Sequence, residues 1–360
     1  MLSQTVTKTV SKVKNSSKED DKLNISRTEN IKDSIPENEK RTKIVYRNLI
    51  TFGYWHLAAL YGIYLCFTSA KWTTILLTLI LYTIAEIGVT AGAHRLWSHK
   101  TYKAKLPLEI LLMVMHSIAF QNPATEWVRD HRMHHKYSDT DADPHNSSRG
   151  IFYSHIGWLL VRKHPEVKRK GKVIEMTDIY SNPVLRFQNK YALPWITTVA
   201  FILPTVVPMY FWGETFMNAW HLTMLRYTMN LNATLLINSV AHRWGYRPYD
   251  NTILPVENDS VSFFTFGEGF HNYHHVFPWD YRTAELGNHF YDLTTMFIDF
   301  FAWIGWAYDL KTVPKDMIKA RANRTGVNET NLWGWDDKDF NDSVKNTAEI
   351  LYCKSEDKKE

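Results

Sequence analysis

Long apolar runs alternate with polar stretches along this chain, and they predict helices that cross a membrane. Four runs approach the roughly 20 mostly apolar residues that a spanning helix needs. They cover residues 50–69, 73–93, 193–212 and 220–240. Buried helices of a large soluble core are the alternative, but the length of these runs and their pairing as two hairpins favour a membrane. We therefore predict an all-α integral membrane protein with four transmembrane helices.

The charged residues around these runs predict their orientation. Basic residues gather just before the first run and between the second and third runs, whereas the connection inside each hairpin is short and nearly uncharged. Because positively charged loops stay in the cytosol, both termini and the long middle segment should be cytosolic. Two further apolar runs, 106–120 and 290–308, are interrupted by acidic residues and histidine. We expect them to lie in or under the membrane interface.

These patterns divide the chain into three parts. The first is rich in Ser, Lys, Asn and Glu and has the composition of a disordered cytosolic tail. The second is the membrane domain with a cytosolic helical cap, and the third is a polar C-terminal tail. The boundaries are 1–42, 43–326 with the cap formed by 94–192 and 241–326, and 327–360.

Composition narrows the class of protein further. The net charge of +5 arises from 42 basic and 37 acidic residues. This excess of positive charge is too small to indicate a basic surface that binds nucleic acid. Aromatic residues make up 14% of the chain, and Trp and Tyr favour the membrane–water boundary. The mean hydropathy of −0.32 suits a soluble protein, but polar stretches dilute apolar ones in that average. The two cysteines, Cys66 and Cys353, form no disulfide framework and indicate a reducing compartment.

Three clusters hold most of the chemically interesting histidines, and all three fall on the predicted cytosolic side. Two clusters repeat histidine at i, i+3 and i+4, which places the imidazoles on one stripe of a helix. The first cluster has i, i+5 spacing, which suits ligands on either side of a helix end. A further histidine, His242, follows the fourth run. The clusters are His94 and His99; His131, His134 and His135; and His271, His274 and His275.

So many imidazoles exceed the needs of one metal ion. A structural zinc ion takes four ligands, usually with cysteine among them, and no cysteine is near these clusters. Imidazole suits zinc, copper and iron alike, so the ligand type leaves the metal open. The number of ligands favours two ions, and iron is the useful pair for O₂ chemistry. Asp139, Asp141 and Asp143 follow the second cluster, either as an ordinary solvated turn or as carboxylates that orient the ligands.

The histidine clusters sit in strings that resemble the membrane acyl-CoA desaturases of the stearoyl-CoA type, in an insect-like branch. The strings are Gly-Ala-His-Arg-Leu-Trp-Ser-His at 92–99, Asp-His-Arg-Met-His-His at 130–135, Asp-Ala-Asp-Pro-His-Asn at 141–146 and Gly-Glu-Gly-Phe-His-Asn-Tyr-His-His at 267–275. The resemblance implies four transmembrane helices under a cytosolic cap that holds two Fe²⁺ ions. It also implies O₂-dependent insertion of a double bond into a long-chain acyl-CoA, an oxidoreductase activity of unsaturated fatty acid biosynthesis.

The resemblance also implies roles for particular residues. One iron would be held by His94, His99, His131, His135 and His274, and the other by His134, His242, His271 and His275. No catalytic residue beyond these ligands is implied. Contacts with the acyl-CoA would come from Asn48, Asn122, Arg129, Asp130, Arg162 and Lys163. Leu235 stands where vertebrate relatives carry a substrate-contacting Trp, which leaves the double-bond position open between Δ9 and Δ11 types.

Electrons must come from a separate protein, because the chain carries no dinucleotide-binding glycine loop after a strand and no His-Pro-Gly-Gly haem string. The resemblance implies cytochrome b5, reduced by its NADH-dependent reductase, and residence in the endoplasmic reticulum membrane. A histidine-box hydroxylase or a desaturase of another lipid carrier is the nearest enzyme alternative. A non-catalytic receptor or scaffold with structural zinc is the alternative from another class.

Overall fold

The computed structural model describes residues 43–285 and 292–326 as a mainly helical protein. The predicted tails at 1–42 and 327–360 lie outside the described residues. The α-helices, numbered in chain order, are α1 (Tyr46–Thr68), α2 (Trp72–Ile87), α3 (Leu106–Ala119), α4 (Ala124–Tyr137), α5 (Trp158–Leu160), α6 (Pro165–Gly171), α7 (Thr177–Ser181), α8 (Pro183–Lys190), α9 (Ala192–Thr197), α10 (Leu203–Trp212), α11 (Phe216–Ser239), α12 (Asp259–Thr265), α13 (His271–Val276), α14 (Leu293–Trp303) and α15 (Lys315–Thr325).

Wider and tighter helical turns and one small sheet complete the described structure. The π-helical segments are Gly88–Ser98, Tyr153–Gly157 and Thr198–Ile202, and the 3₁₀ turns are Ser147–Arg149 and Val240–His242. Strands β1 (Lys103–Ala104) and β2 (Ala307–Tyr308) pair antiparallel. This pairing ties the chain that leaves the Gly88–Ser98 π-helix to the chain that leaves α14.

Three segments among the described residues are long and apolar enough to cross a membrane. They are Tyr46–Thr68, Trp72–Ser98 and Ala192–Trp212. The fourth predicted span coincides with α11, which has 24 residues but is less apolar. Asn218, Arg226 and Asn230 are all buried along α11 because this helix packs among other helices. The three-span result therefore agrees with three of the four predicted spans, and the fourth stays a prediction.

Close helix contacts depend on glycine at two positions in these spans. A Cβ atom on Gly62 of α1 would lie 2.5 Å from the carbonyl oxygen of His221 in α11. A Cβ atom on Gly88 would lie 2.3 Å from the backbone nitrogen of His116 in α3. Small residues let helix backbones approach closely, as at the interfaces of membrane helices. The close packing of α3 against the second span therefore requires glycine at position 88.

The turns at one end of the helices are joined by a polar clasp. Glu214, in the α10–α11 turn, accepts hydrogen bonds from the backbone nitrogen of Lys71 at 2.9 Å and from the Thr74 hydroxyl at 2.7 Å. The Lys71 amino group donates in return to the carbonyl oxygen of Gly213 at 2.9 Å. The α1–α2 and α10–α11 turns therefore lie at the same end, opposite to the histidine clusters.

The sequence leaves open whether two charged residues inside the helices, Glu86 and Arg226, pair with each other. The Arg226 guanidinium donates to the backbone oxygens of Ile118 and Ala200, each at 2.7 Å. No ion pair joins it to Glu86 in the part of the chain that the structure describes. Both side chains are nevertheless buried, at 1% exposure.

Candidate metal centre

The first histidine cluster is shaped by the Gly88–Ser98 π-helix that continues the second span. In a π-helix the hydrogen bond runs from residue i+5 to residue i, and such turns recur at functional sites. The His99 backbone nitrogen donates to the His94 carbonyl oxygen at 3.2 Å, and the two ring centres are 5.0 Å apart. The sequence-based explanation by a helix end was therefore incomplete. His99 does cap the helix, but the wider turn is what brings residues i and i+5 together.

The other two clusters occupy α4 and α13 as their spacing predicts. His131, His134 and His135 lie on one side of α4, and His271, His274 and His275 lie on α13. His242 comes from the 3₁₀ turn that follows α11. Each of these histidines is buried or half-buried.

The nine histidines gather into two groups with the predicted membership. Within each group the candidate ligand nitrogens lie within 4.8 Å of one another. The five-histidine group contains His94, His99, His131, His135 and His274. The four-histidine group contains His134, His242, His271 and His275.

The spacing of the Nε2 atoms matches ligands that surround a metal ion. In the five-histidine group, His274 Nε2 lies 2.9 Å from the Nε2 atoms of both His94 and His135. In the four-histidine group, His271 Nε2 lies 3.0 Å from the Nε2 atoms of both His242 and His275. Two nitrogens that bind one ion at about 2.1 Å and at right angles are about 3.0 Å apart. The residues present therefore fit one metal ion in each group.

Two buried carboxylates, Asp143 and Glu268, and the half-buried Asp139 lie behind ligand rings. Asp143 lies 2.9 Å from His134 Nδ1, Asp139 lies 3.4 Å from His242 Nδ1, and Glu268 lies 2.8 Å from His94 Nδ1. A carboxylate accepts a hydrogen bond from Nδ1–H, so the Nε2 lone pair of the same ring is free to bind a metal. Glu268 and Asp143 therefore fix the tautomer of one ring in each group, whereas Asp139 approaches His242 without hydrogen-bond geometry.

Sequence reasoning found part of this outer layer. Asp143 pairs with the ligand candidate His134 and Asp139 lies beside His242, whereas Asp141 is exposed as in an ordinary solvated turn. Glu268 was missed, although it lies inside the 267–275 string, because no spacing rule connects it to His94. Another buried histidine, His145, lies 3.6 Å from Asp143 and forms a possible third ligand set with Asp143 and His134. That set shares His134 with the four-histidine group.

Burial keeps most of the candidate ligands uncharged. Burial first, and neighbouring histidines second, hold the pKa of six of them well below the ordinary value. These are His99, His131, His135, His271, His274 and His275. The pKa of His134 is instead raised, because Asp143 outweighs the effect of burial. Burial raises the pKa of Asp143, but His134 and His145 outweigh burial and lower it to about 2.

A cavity of about 440 Å³ opens beside the five-histidine group. Four of the six predicted acyl-CoA contacts line it, together with His131 and Leu235. These four are Asn48, Asn122, Asp130 and Lys163. Its inner wall is apolar and aromatic, formed by Phe52, Trp55, Phe120, Tyr227 and Leu231. The cavity thus combines a polar mouth, a metal-ligand edge and an apolar interior.

The other two predicted contacts lie elsewhere. Arg129 lines an adjoining cleft of about 430 Å³, which shares Asp130 and Lys163 with the cavity. Lys163 and Asp130 form an ion pair where the two meet. Arg162 is outside the lining of both, and its backbone nitrogen donates to the Lys43 carbonyl oxygen at 2.9 Å.

Comparison with known proteins agrees with this site. The family model for fatty acid desaturase matches residues 70–299. The chain is 68% identical over 314 residues to an acyl-CoA Delta(11) desaturase of Spodoptera littoralis, covering 87% of this chain and 93% of that protein. It is 58% identical over 306 residues to an acyl-CoA Delta-9 desaturase of Acheta domesticus, covering 85% of each. It is 54% identical over 287 residues to a stearoyl-CoA desaturase of Capra hircus, covering 79% of each.

The matched region contains all nine candidate ligands and both turns of the polar clasp. The relatives are matched over most of their own length, so the likeness extends beyond the histidine strings. This chain belongs to the fatty acid desaturase family.

Proposed function

We propose that this protein is an acyl-CoA desaturase that uses O₂ and two iron ions to introduce a double bond into a long-chain acyl-CoA. The observation that carries the proposal is the convergence of nine histidines beside a cavity with a polar mouth and an apolar interior. The acyl-CoA desaturases among its relatives support the same activity.

Each part of the cavity has a defined task in this proposal. Asn48, Asn122 and Lys163 hold the polar thioester end at the mouth, since a basic side chain suits the phosphates of CoA. The apolar wall around Leu231 and Leu235 holds the acyl chain. Methylene groups along a chain are chemically alike, so the chain must be held in one position for one bond to react.

When bound, the two iron ions supply O₂ activation and the removal of two hydrogen atoms from adjacent methylenes. The overall change consumes one acyl chain, one O₂, two electrons and two protons, and yields the unsaturated chain and two water molecules. The histidines would hold the ions through their Nε2 atoms, and Glu268 and Asp143 would keep the Nδ1 protons of His94 and His134 on the outer side of the rings.

The electrons come from cytochrome b5 and its NADH-dependent reductase in this proposal. The proposal also assigns the protein to the endoplasmic reticulum membrane, with four spans and both termini in the cytosol. The convergence of His94 and His242 on neighbouring groups supports a returning fourth span. His94 lies near the end of the second span and His242 follows α11, so both helices must reach the same side of the membrane.

The test is expression in yeast that lacks its own desaturase, followed by mass spectrometry that locates double bonds in the lipids. We expect new unsaturation from the native chain and none from His274→Ala. His221→Ala is the matched control, because His221 belongs to neither metal group. New hydroxylated chains, or zinc in place of iron in the purified protein, would contradict the proposal.

A further inference from the structure

Behind the five-histidine group lies a buried set of charges that the proposed reaction does not use directly. Arg95, which follows the ligand His94, is 0% exposed, while Glu268 is 3% and Asp292 is 1% exposed. One cation and two carboxylates leave this triplet with a net negative charge. Buried charges are costly unless they are paired and hydrogen-bonded, so their presence calls for a physical reason.

The Arg95 guanidinium links both carboxylates. Its Nε lies 3.0 Å from Glu268 Oε1, and its Nη2 lies 3.2 Å from Asp292 Oδ1. Its Nη1 donates to the Thr295 hydroxyl and to the Tyr281 carbonyl oxygen, each at 2.8 Å. A guanidinium presents its donors in a fixed planar fork, so these four partners determine its position.

The second oxygen of Glu268 reaches the metal centre. Glu268 Oε2 lies 2.8 Å from His94 Nδ1, while Oε1 is held by Arg95. The carboxylate therefore cannot rotate toward His94 independently of Arg95.

The contact between Arg95 and Asp292 connects the triplet to the start of α14. Asp292 is the residue before this helix, and its Oδ1 accepts a hydrogen bond from the Thr295 backbone nitrogen at 2.8 Å. The first turn of α14 is thus connected through the side chains of Asp292, Arg95 and Glu268 to the Nδ1 atom of a metal-ligand candidate.

Gly267 provides independent evidence for the position of Asp292, because the close approach of Asp292 requires glycine there. Its φ is +111°, and a Cβ atom there would lie 2.7 Å from the Asp292 carboxylate carbon. Any other residue would push Asp292 away from the segment that carries Glu268. Gly150 has a similar φ of +100° but open space around its missing Cβ.

We infer that Arg95 and Asp292 are positioning residues for the metal centre, which act through Glu268 on the orientation and tautomer of His94. The inference rests on the proposed function, because it requires that the five-histidine group binds iron. The start of α14 and the metal centre are therefore one coupled unit.

The first test measures how fast purified iron-loaded protein releases Fe²⁺ to a chelator. Asp292→Asn keeps a good helix cap but loses the carboxylate that Arg95 binds. Glu268→Gln places an amide between two donors, Arg95 Nε and His94 Nδ1. Changes of such outer partners typically weaken metal affinity about 10- to 100-fold. We expect about 10-fold faster release in Asp292→Asn and a larger change in Glu268→Gln.

Non-additivity distinguishes a relay from general destabilisation. In the Glu268→Gln background, the further change Asp292→Asn should raise the rate of iron release little, because the contact through which Asp292 acts is already broken. Glu214→Gln is the matched control, since this buried carboxylate lies in the clasp at the opposite end of the helices. It should release iron at the native rate.

A second variant pair covers the case in which Asp292→Asn does not fold. Gly267→Ala and Gly150→Ala carry similar backbone strain, but only the first displaces Asp292, so only the first should speed iron release. Native release rates in both Asp292→Asn and Gly267→Ala would overturn the inference. A native protein that binds no iron would instead overturn the proposed function, and the inference with it.

Discussion

At the scale of single residues, two separate properties distinguish histidines of the metal centre. Burial keeps six of the nine rings neutral, and for some rings an outer partner selects which nitrogen carries the proton. Asp143 supplies that partner for His134 at 2.9 Å, and Glu268 supplies it for His94 at 2.8 Å. The first property is found in all three clusters, although not in His134, whereas the second is specific to particular rings.

The buried histidines predict that the metal-free protein loses stability in mild acid. Six of them have a folded-state pKa well below the ordinary value of about 6.5. As the pH falls below about 6.5, the unfolded chain takes up protons that the folded chain does not, so unfolding becomes more favourable. Each such histidine contributes up to about 1.4 kcal/mol per pH unit. His134, whose pKa is raised, acts in the opposite direction.

We expect the thermal midpoint of metal-free protein in detergent to fall clearly between pH 7.5 and pH 5.5. A variant with His131→Gln and His274→Gln should show a shallower fall, because two of the six groups no longer titrate. A midpoint that is constant over this range in the native protein would contradict the prediction.

Leu235 should control which acyl chains fit the cavity. It lines the cavity with His131 and its side chain is 2% exposed, so a larger residue must occupy cavity space. One methylene in an apolar pocket is worth about 1–3 kcal/mol. We expect Leu235→Trp to shift the product ratio toward shorter chains by about 10-fold. Leu235→Met conserves volume and is the control in a competition assay with acyl-CoAs of 14, 16 and 18 carbons. Equal product ratios in the two variants would contradict the assignment.

At the scale of elements, the sequence predicts the helices of the second and third histidine clusters well. The i, i+3, i+4 repeat reflects helix geometry alone, and α4 and α13 realise it. The Gly88–Ser98 π-helix could not be predicted in the same way, since a wider turn leaves no periodic signal over a single turn. Glu268 and Arg95 were not predicted as partners because their contact depends on how distant segments pack.

The π-helix should depend on the close approach of α3 at Gly88. A Cβ atom there would meet the backbone of His116 and Met115 at 2.3 Å, and backbone cannot move aside as a flexible side chain can. We expect Gly88→Ala to destabilise the protein by about 1–3 kcal/mol and to reduce bound iron. Gly53 lies in α1 with nothing within 4 Å of its missing Cβ. Gly53→Ala should therefore keep or raise the thermal midpoint. Equal midpoints in both variants would show that the contact at Gly88 is unimportant.

At the scale of the whole molecule, three of the four predicted spans are apolar enough to be recognised in the structure by length and composition, and the fourth is not. Segments Tyr46–Thr68, Trp72–Ser98 and Ala192–Trp212 are apolar enough to be recognised on composition. Helix α11 directs Asn218, Arg226 and Asn230 into the protein, so its average hydropathy falls although its length of 24 residues would span a bilayer. Its role depends on where its two ends lie.

Cysteine labelling in sealed microsomes with the cytosolic face outward tests that role. His242 Nε2 lies 3.0 Å from His271 Nε2, and His134, from the middle segment, joins the same group. The end of α11 must therefore lie on the same side of the membrane as that segment.

In a background with Cys66→Ser and Cys353→Ser, we expect Val173→Cys and Trp244→Cys to react with a membrane-impermeant maleimide. These positions are exposed in the middle segment and just after α11, respectively. Phe216→Cys, at the start of α11, should react only after permeabilisation. Protection of Trp244→Cys in sealed microsomes would mean that α11 does not cross, and that the histidine groups do not assemble as described.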